Sequence, residues 1–156
     1  MSKHEEKAME LFQQGYNCAQ AVFGAFCDEL GMDREAAMKL SSSFGGGMGR
    51  MREVCGAVSG MFMVAGLKSG YDNPKDPAAR AAHYKLIQDM AAEFKKYNGS
   101  IICRELLQLE KTDIPEGPTP TPRTDEFYKK RPCVEIVGIA ARITDQFLFP
   151  ESGEKD

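Results

Sequence analysis

The stretch that most constrains this fold is a glycine-dense loop that runs into an apolar helical pattern. Four of the five residues at positions 45–49 are glycine, and Cys55 lies near the start of a helix predicted over 51–69. Glycine adopts backbone conformations that other residues avoid, and it lets another chain segment approach closely. The amides at a helix start favour negative charge, so a cysteine placed there is a candidate thiolate.

Apolar residues recur at helical spacing along most of the chain, with capping residues and glycines between the segments. Besides 51–69, helices are predicted over 2–14, 18–30, 34–40, 77–97, 101–109 and 132–149. Four of them have predicted N-caps, namely Ser2, Asn17, Asp33 and Asp76. No stretch alternates in the manner of a strand. The sequence therefore predicts an all-α fold, a single-domain bundle of six or seven helices over residues 1–156.

Two segments fall outside this helical pattern. Residues 113–124 are too rich in proline for a helix or a central strand, and only about thirty residues follow them. We interpret them as an ordered surface loop rather than a linker between domains. The polar tail, residues 150–156, is expected to be frayed.

Charge and hydropathy restrict the classes of function. The chain has 20 basic and 23 acidic residues, for a net charge of −3, so no broad footprint for nucleic acid is present. The charged N-terminus lacks the apolar core of a signal peptide, and the longest apolar stretch, around 58–67, is too short to span a membrane. We therefore expect a cytoplasmic protein, in which cysteines stay mostly reduced.

Four of the five cysteines share one kind of position, within the first turn or so of separate predicted helices. They are Cys18, Cys55, Cys103 and Cys133, and Arg52, Arg104 and Arg131 lie near them in sequence. The partial positive charge of a helix start lowers a thiol pKa and makes the thiolate available as a nucleophile or metal ligand. Cys27 lies nine residues after Cys18 on the opposite side of the same predicted helix, which favours a place in the core.

These residues carry a resemblance that spans almost the whole chain. The run CGAVSG at 55–60, the glycines before it and single cysteines at 18, 103 and 133 resemble the C_GCAxxG_C_C family of redox-active proteins. The resemblance implies functional roles for residues that match the family pattern. These are Cys18, Cys55, Gly56, Ala57, Gly60, Cys103 and Cys133.

Three hypotheses remain open for the four cysteines. In the first, a pair cycles between dithiol and disulfide, with a helix-start thiolate such as Cys55 attacking, and the partner is a redox protein, a small thiol or an electron carrier. In the second, all four bind zinc or an iron–sulfur cluster, although no close Cys-x-x-Cys pair is present. In the third, they are buried small hydrophobes of an interaction module. Helix-start activation favours the first.

The glycine-rich segment also has two explanations. Its candidate binding residues are Gly45, Gly46, Gly47, Gly49, Gly56 and Gly60, which together with Arg50 or Arg52 suit a small anion or cofactor. The segment lacks the Lys-Ser/Thr pair of a P-loop, and no predicted strand precedes it. The favoured explanation is therefore a tight turn and a small helix face that let other helices approach Cys55.

Overall fold

A computed structural model describes residues 1–109 and 117–150 of the chain. The helices within this part, in chain order, are α1 (Lys3–Gln13), α2 (Cys18–Phe26), α3 (Arg34–Ser42), α4 (Gly56–Ser69), α5 (Pro77–Asn98), α6 (Cys103–Leu106), α7 (Asp125–Lys130) and α8 (Cys133–Leu148). The described residues form no strand beyond one isolated bridge, between Val54 and Ile102. The all-α fold is thus confirmed, with eight helices in the described ranges where six or seven were predicted.

The helix starts follow local sequence signals. The side chains of Ser2, Asn17, Asp33 and Asp76 each accept a hydrogen bond from a backbone amide in the first turn of the helix that follows. At α2 the cap is reciprocal, because the Gln20 side chain also accepts from the Asn17 amide at 3.0 Å. Side-chain caps of this kind stabilise a helix by about 1 kcal/mol each. All four predicted caps are confirmed.

The centre of the molecule is α2, which packs against α1, α3, α4 and α8. Its Val22, Phe23 and Phe26 side chains are fully buried. The close contact with α4 depends on a face without side chains, since a Cβ atom at Gly60 would lie only 2.9 Å from the Ala19 carbonyl oxygen. The small face predicted on this helix therefore lets two backbones meet, and it brings the starts of α2 and α4 together.

Two helix boundaries next to the glycine loop differ from the prediction. Helix α4 begins at Gly56 rather than at 51, because Arg52 has a positive φ of 61° and Val54 joins the bridge to the segment before α6. Helix α3 continues through the predicted polar break at 41–43 as far as Ser42. The Ser41 hydroxyl donates to the Ala37 carbonyl at 2.7 Å, so its polar group is satisfied within the helix.

The other differences concern helix ends and a short extra helix. Helix α2 ends at Phe26 rather than at 30, and α6 ends at Leu106, shortly before Gln108 with its positive φ of 55°. The extra helix is α7, which Thr124 caps by accepting from the Phe127 amide at 3.2 Å. Of the predicted proline-rich loop, residues 117–124 form neither helix nor strand, whereas 113–116 and the tail after Pro150 lie outside the described residues.

A buried histidine links the first and last helices of the bundle. The His4 ring nitrogens lie 2.6 Å from an Asp145 carboxylate oxygen and 2.7 Å from a Glu29 carboxylate oxygen. Burial alone would lower the pKa of His4, but the hydrogen bonds and charges of the two carboxylates outweigh it and raise the pKa above the usual value. The charged imidazolium therefore favours the folded state.

None of the helices described is both long and apolar enough to cross a lipid bilayer.

Candidate functional site

One cavity of about 320 Å³ is lined by four of the five cysteines. Cys18, Cys103 and Cys133 are the first residues of α2, α6 and α8, and Cys55 immediately precedes α4 as its N-cap. All are free thiols. The structure thus gathers side chains that are as many as 115 residues apart in sequence. Cys27 is buried in the hydrophobic core outside this lining, as predicted.

The bridge between Val54 and Ile102 holds two of the cysteines together. The amide of Cys55 donates across the bridge to a backbone carbonyl at 2.7 Å, and the amide of Cys103 donates in the opposite direction at 2.6 Å. Residues placed diagonally across such a pairing lie on one face and within reach of each other. Two segments with no predicted strand character therefore bring Cys55 and Cys103 to the same wall of the cavity.

The glycine loop forms another wall through an unusual backbone. Five consecutive residues, from Gly46 to Arg50, have positive φ angles between 57° and 73°. A residue other than glycine is destabilised by about 1–2 kcal/mol in this left-handed backbone conformation, and strain of this kind is concentrated at functional sites. A Cβ atom at Gly47 would lie 2.6 Å from the Cβ of Cys103. The glycine there is what allows Cys103 to reach the cavity.

The other predicted glycines divide into two groups. Gly45, Gly46, Gly47, Gly49 and Gly56 line the cavity, whereas Gly60 packs against α2 outside the lining. At Gly56 a Cβ atom would lie 3.2 Å from the Cβ of Cys18 and 3.0 Å from the Phe44 carbonyl oxygen. Close approach of backbone therefore accounts for Gly56 and Gly60, while the loop glycines also shape the cavity.

Cys18 and Cys133 line the same cavity as the first residues of α2 and α8, and each affects the pKa of the other. The hydrogen bond from Cys18 lowers the pKa of Cys133 to about 7, against the opposing effect of burial and with help from the charges of Arg131, Arg123 and Arg52. The same hydrogen bond, together with burial, raises the pKa of Cys18 well above its usual value. The two pKa shifts have opposite directions, so Cys133 is the member of the pair that loses its proton first as pH rises.

The other two cysteines are neutral thiols. Burial raises the pKa of Cys55 to about 12, although the amides of Val58 and Ala57 at the start of α4 act in the opposite direction. Burial also raises the pKa of Cys103, which outweighs the hydrogen bond from the Arg52 guanidinium at 3.7 Å. At Cys55 desolvation exceeds the effect of the helix start, so the direction of its pKa does not favour the predicted role of this cysteine as the attacking thiolate.

Four arginines line the cavity, and the lining contains no acidic side chain among the described residues. They are Arg50, Arg52, Arg123 and Arg131. Sequence analysis missed Arg123, whose guanidinium stacks on the Phe12 ring at 4.1 Å and donates to the Phe12 and Tyr16 carbonyls. It lies near the end of the proline-rich loop, where no pattern indicated the direction of its side chain. Arg104, expected to act on the cysteines, instead pairs with Glu53 at 3.2 Å.

The four cysteines of the cavity are also candidate metal ligands. Four thiolates suit zinc or an iron–sulfur cluster in their chemistry. Within residues 1–109 and 117–150, however, no three side chains of histidine, cysteine, aspartate or glutamate are arranged so that they could hold a metal ion. The geometry of the described residues does not fit the metal hypothesis.

Fold and site together define an all-α protein in which four helix starts bring four cysteines to one cationic cavity. The sequence profile described as "Putative redox-active protein (C_GCAxxG_C_C)" matches residues 16–147. The chain therefore belongs to the C_GCAxxG_C_C family. A relative in Archaeoglobus fulgidus, described as an uncharacterized protein, is 26% identical over 151 residues that cover 91% of each chain. No solved structure gives a significant match.

Proposed function

We propose that this protein exchanges thiols and disulfides through the pair formed by Cys133 and Cys18. The observation that supports this most directly is that the two cysteines begin α2 and α8, which pack against each other, and line one cavity. A hydrogen bond from Cys18 and the charges of three arginines lower the pKa of Cys133 to about 7 there. Cys133 is also only partly buried, so a reactant reaches it from the cavity. A thiolate of this pKa combines a high charged fraction at neutral pH with good nucleophilicity.

The chemistry proceeds in two displacements. The Cys133 thiolate attacks one sulfur of a substrate disulfide, the substrate S–S bond breaks, and the first substrate thiolate leaves and takes a proton from water. Cys18 then loses its proton and attacks the Cys133 sulfur, which releases the second substrate half as a thiol. The protein pair loses two electrons and becomes a disulfide, and the substrate gains them. A dithiol reductant restores the pair.

The arginines support the first displacement. Arg131, Arg123 and Arg52 stabilise the negative charge on Cys133 through their own charges. Arg123 is fixed by its stacking on Phe12 and by two backbone carbonyls, so its charge is held in place before the reaction. Cys55 and Cys103 remain protonated beside the pair and do not compete with Cys133 as nucleophiles.

The pH dependence of alkylation tests the assignment. Reduced protein is treated with iodoacetamide, a neutral reagent, and the labelled cysteines are identified by peptide mass spectrometry. The rate at Cys133 is expected to rise with pH through a midpoint near 7, because only the thiolate reacts. The buried Cys55 is expected to react only at far higher pH.

The variants Cys133→Ser and Cys27→Ser are the matched pair for this experiment. Cys133→Ser should abolish the fast phase with its midpoint near neutrality, whereas Cys27→Ser should leave it unchanged because Cys27 lies outside the cavity. A fast phase that survives in Cys133→Ser, or one with a midpoint above 9, would refute the proposed role of Cys133.

A further inference from the structure

Among the described residues, the cavity lining contains several arginines and no carboxylate. The whole chain has a net charge of −3, yet the lining contains four arginines and, among the described residues, no aspartate or glutamate. Burial and then the charges of Arg52 and Arg131 lower the pKa of Arg50, so these two arginines each lie close enough to Arg50 to repel it. Like charges brought together in this way favour an anion between them.

Arg52 is the most deeply buried of the four arginines. Its side chain is almost fully buried, with 4% of its surface exposed, and it lines the cavity. One guanidinium nitrogen lies 3.7 Å from the Cys103 sulfur, and the Nε atom has no hydrogen-bond partner among the described residues. A buried guanidinium without a carboxylate is costly unless a negative group enters its surroundings.

Arg50 is an arginine of the cavity wall whose hydrogen bonds go to uncharged groups. Its guanidinium donates to two neutral acceptors, the Gly117 carbonyl at 3.0 Å and the Thr121 hydroxyl at 3.2 Å. Arg131, Arg123 and Arg52 are the arginines whose charges lower the pKa of Cys133 most. The Arg50 side chain lies in the cavity wall at partial exposure, where an entering molecule meets it.

The remainder of the lining is largely apolar. It includes Phe12, Leu106, Leu107, Phe127 and Ile136. A cavity of about 320 Å³ is of a size that holds a small organic molecule. Apolar walls suit the carbon and sulfur atoms of such a molecule, and the arginines suit anionic groups at its ends.

We propose that the substrates of this protein are small organic disulfides that carry carboxylate groups, which Arg50 binds within the cavity. This inference rests on the proposed thiol–disulfide exchange, and it names the class of molecule exchanged. Attack by Cys133 on such a disulfide releases two carboxylate-bearing thiols, and the two electrons come from the Cys18–Cys133 dithiol. A protein or small-molecule dithiol then reduces the resulting disulfide.

Three disulfides of similar size and different charge test the proposal. They are dithiodiglycolate, which carries two negative charges, 2-hydroxyethyl disulfide, which is neutral, and cystamine, which carries two positive charges. Each is mixed with the reduced protein at low salt, and the rate is divided by its rate with 2-mercaptoethanol to remove intrinsic reactivity. We expect the normalised rate of dithiodiglycolate to exceed that of the neutral disulfide by about tenfold or more, and cystamine to be slowest.

Two arginine variants separate binding from activation of the thiol. Arg50→Gln should remove the preference for dithiodiglycolate while the pH profile of Cys133 alkylation stays unchanged. Arg104→Gln is the matched control, because Arg104 pairs with Glu53 and does not line the cavity, and it should keep the preference. A preference that persists in Arg50→Gln would overturn the assignment to Arg50.

Adipate distinguishes failure of this inference from failure of the proposed function. It has the shape of dithiodiglycolate, with two methylene groups in place of the sulfurs, and its binding is measured by calorimetry. Equal normalised rates for the three disulfides, with no adipate binding, would overturn the anion preference and leave the exchange chemistry standing. Adipate binding that Arg50→Gln abolishes, without reduction of any disulfide, would support the anion site and overturn the exchange chemistry.

Discussion

Replacement of Gly47 by alanine probes the contact that places the glycine loop against Cys103. At φ +73°, an alanine costs about 1–2 kcal/mol from backbone conformation alone. Its Cβ atom would also lie 2.6 Å from the Cys103 Cβ and 2.8 Å from the Glu53 amide nitrogen, closer than these atoms tolerate. Overpacking of this kind costs about 1–3 kcal/mol more. We therefore expect Gly47→Ala to lower the free energy of unfolding by about 2–5 kcal/mol.

Gly49→Ala is the matched control for this variant. Gly49 has a similar φ of +57°, but the nearest atom to its Cβ would be the Ser43 carbonyl oxygen at 3.6 Å, an ordinary contact. It should therefore lose only the conformational part, about 1–2 kcal/mol. Urea denaturation of both variants gives the difference directly. Equal losses in Gly47→Ala and Gly49→Ala would refute the close contact between the loop and Cys103.

Two further predictions concern pKa and pH. Cys18→Ala removes the hydrogen bond that lowers the pKa of Cys133. A hydrogen bond to a charged group is worth about 1.5–3 kcal/mol, so the midpoint of Cys133 alkylation should rise by about one to two pH units. An unchanged midpoint would contradict the pairing of the two cysteines. His4 has a raised pKa in the folded state, so its contribution to stability is complete below about pH 6.5 and is lost as pH rises through the folded pKa. The free energy of unfolding should accordingly fall between pH 6 and 9 in the wild type and fall less in His4→Gln, whereas parallel curves would show that the histidine does not cause the change.

The sequence allowed prediction of the features that depend on neighbouring residues. Ser2, Asn17, Asp33 and Asp76 cap helices because their side chains reach amides three residues further on, and this can be inferred from the residue types. The helix-start position of cysteines follows from the same signals. The pattern around Cys27 likewise indicated a core residue, and its side chain is buried.

The electrostatics of the site could not be predicted in this way. Whether Cys55 or Cys133 becomes the thiolate depends on depth of burial and on charges that only the folded chain brings together. Arg123 reaches the cavity from within the proline-rich loop, and Val54 meets Ile102 across 47 intervening positions in sequence. Helix starts are local, so they identify candidates, whereas the choice among candidates is made by tertiary contacts.

The most direct test of the central claim is the identity of the disulfide that forms on oxidation. Reduced protein is treated with one equivalent of an oxidised dithiol, remaining thiols are blocked at low pH, and the linked peptides are identified by mass spectrometry. A single disulfide between Cys18 and Cys133 is the predicted result, with Cys55, Cys103 and Cys27 recovered as blocked thiols. A disulfide between Cys55 and Cys103, or five blocked thiols and no disulfide, would contradict the account.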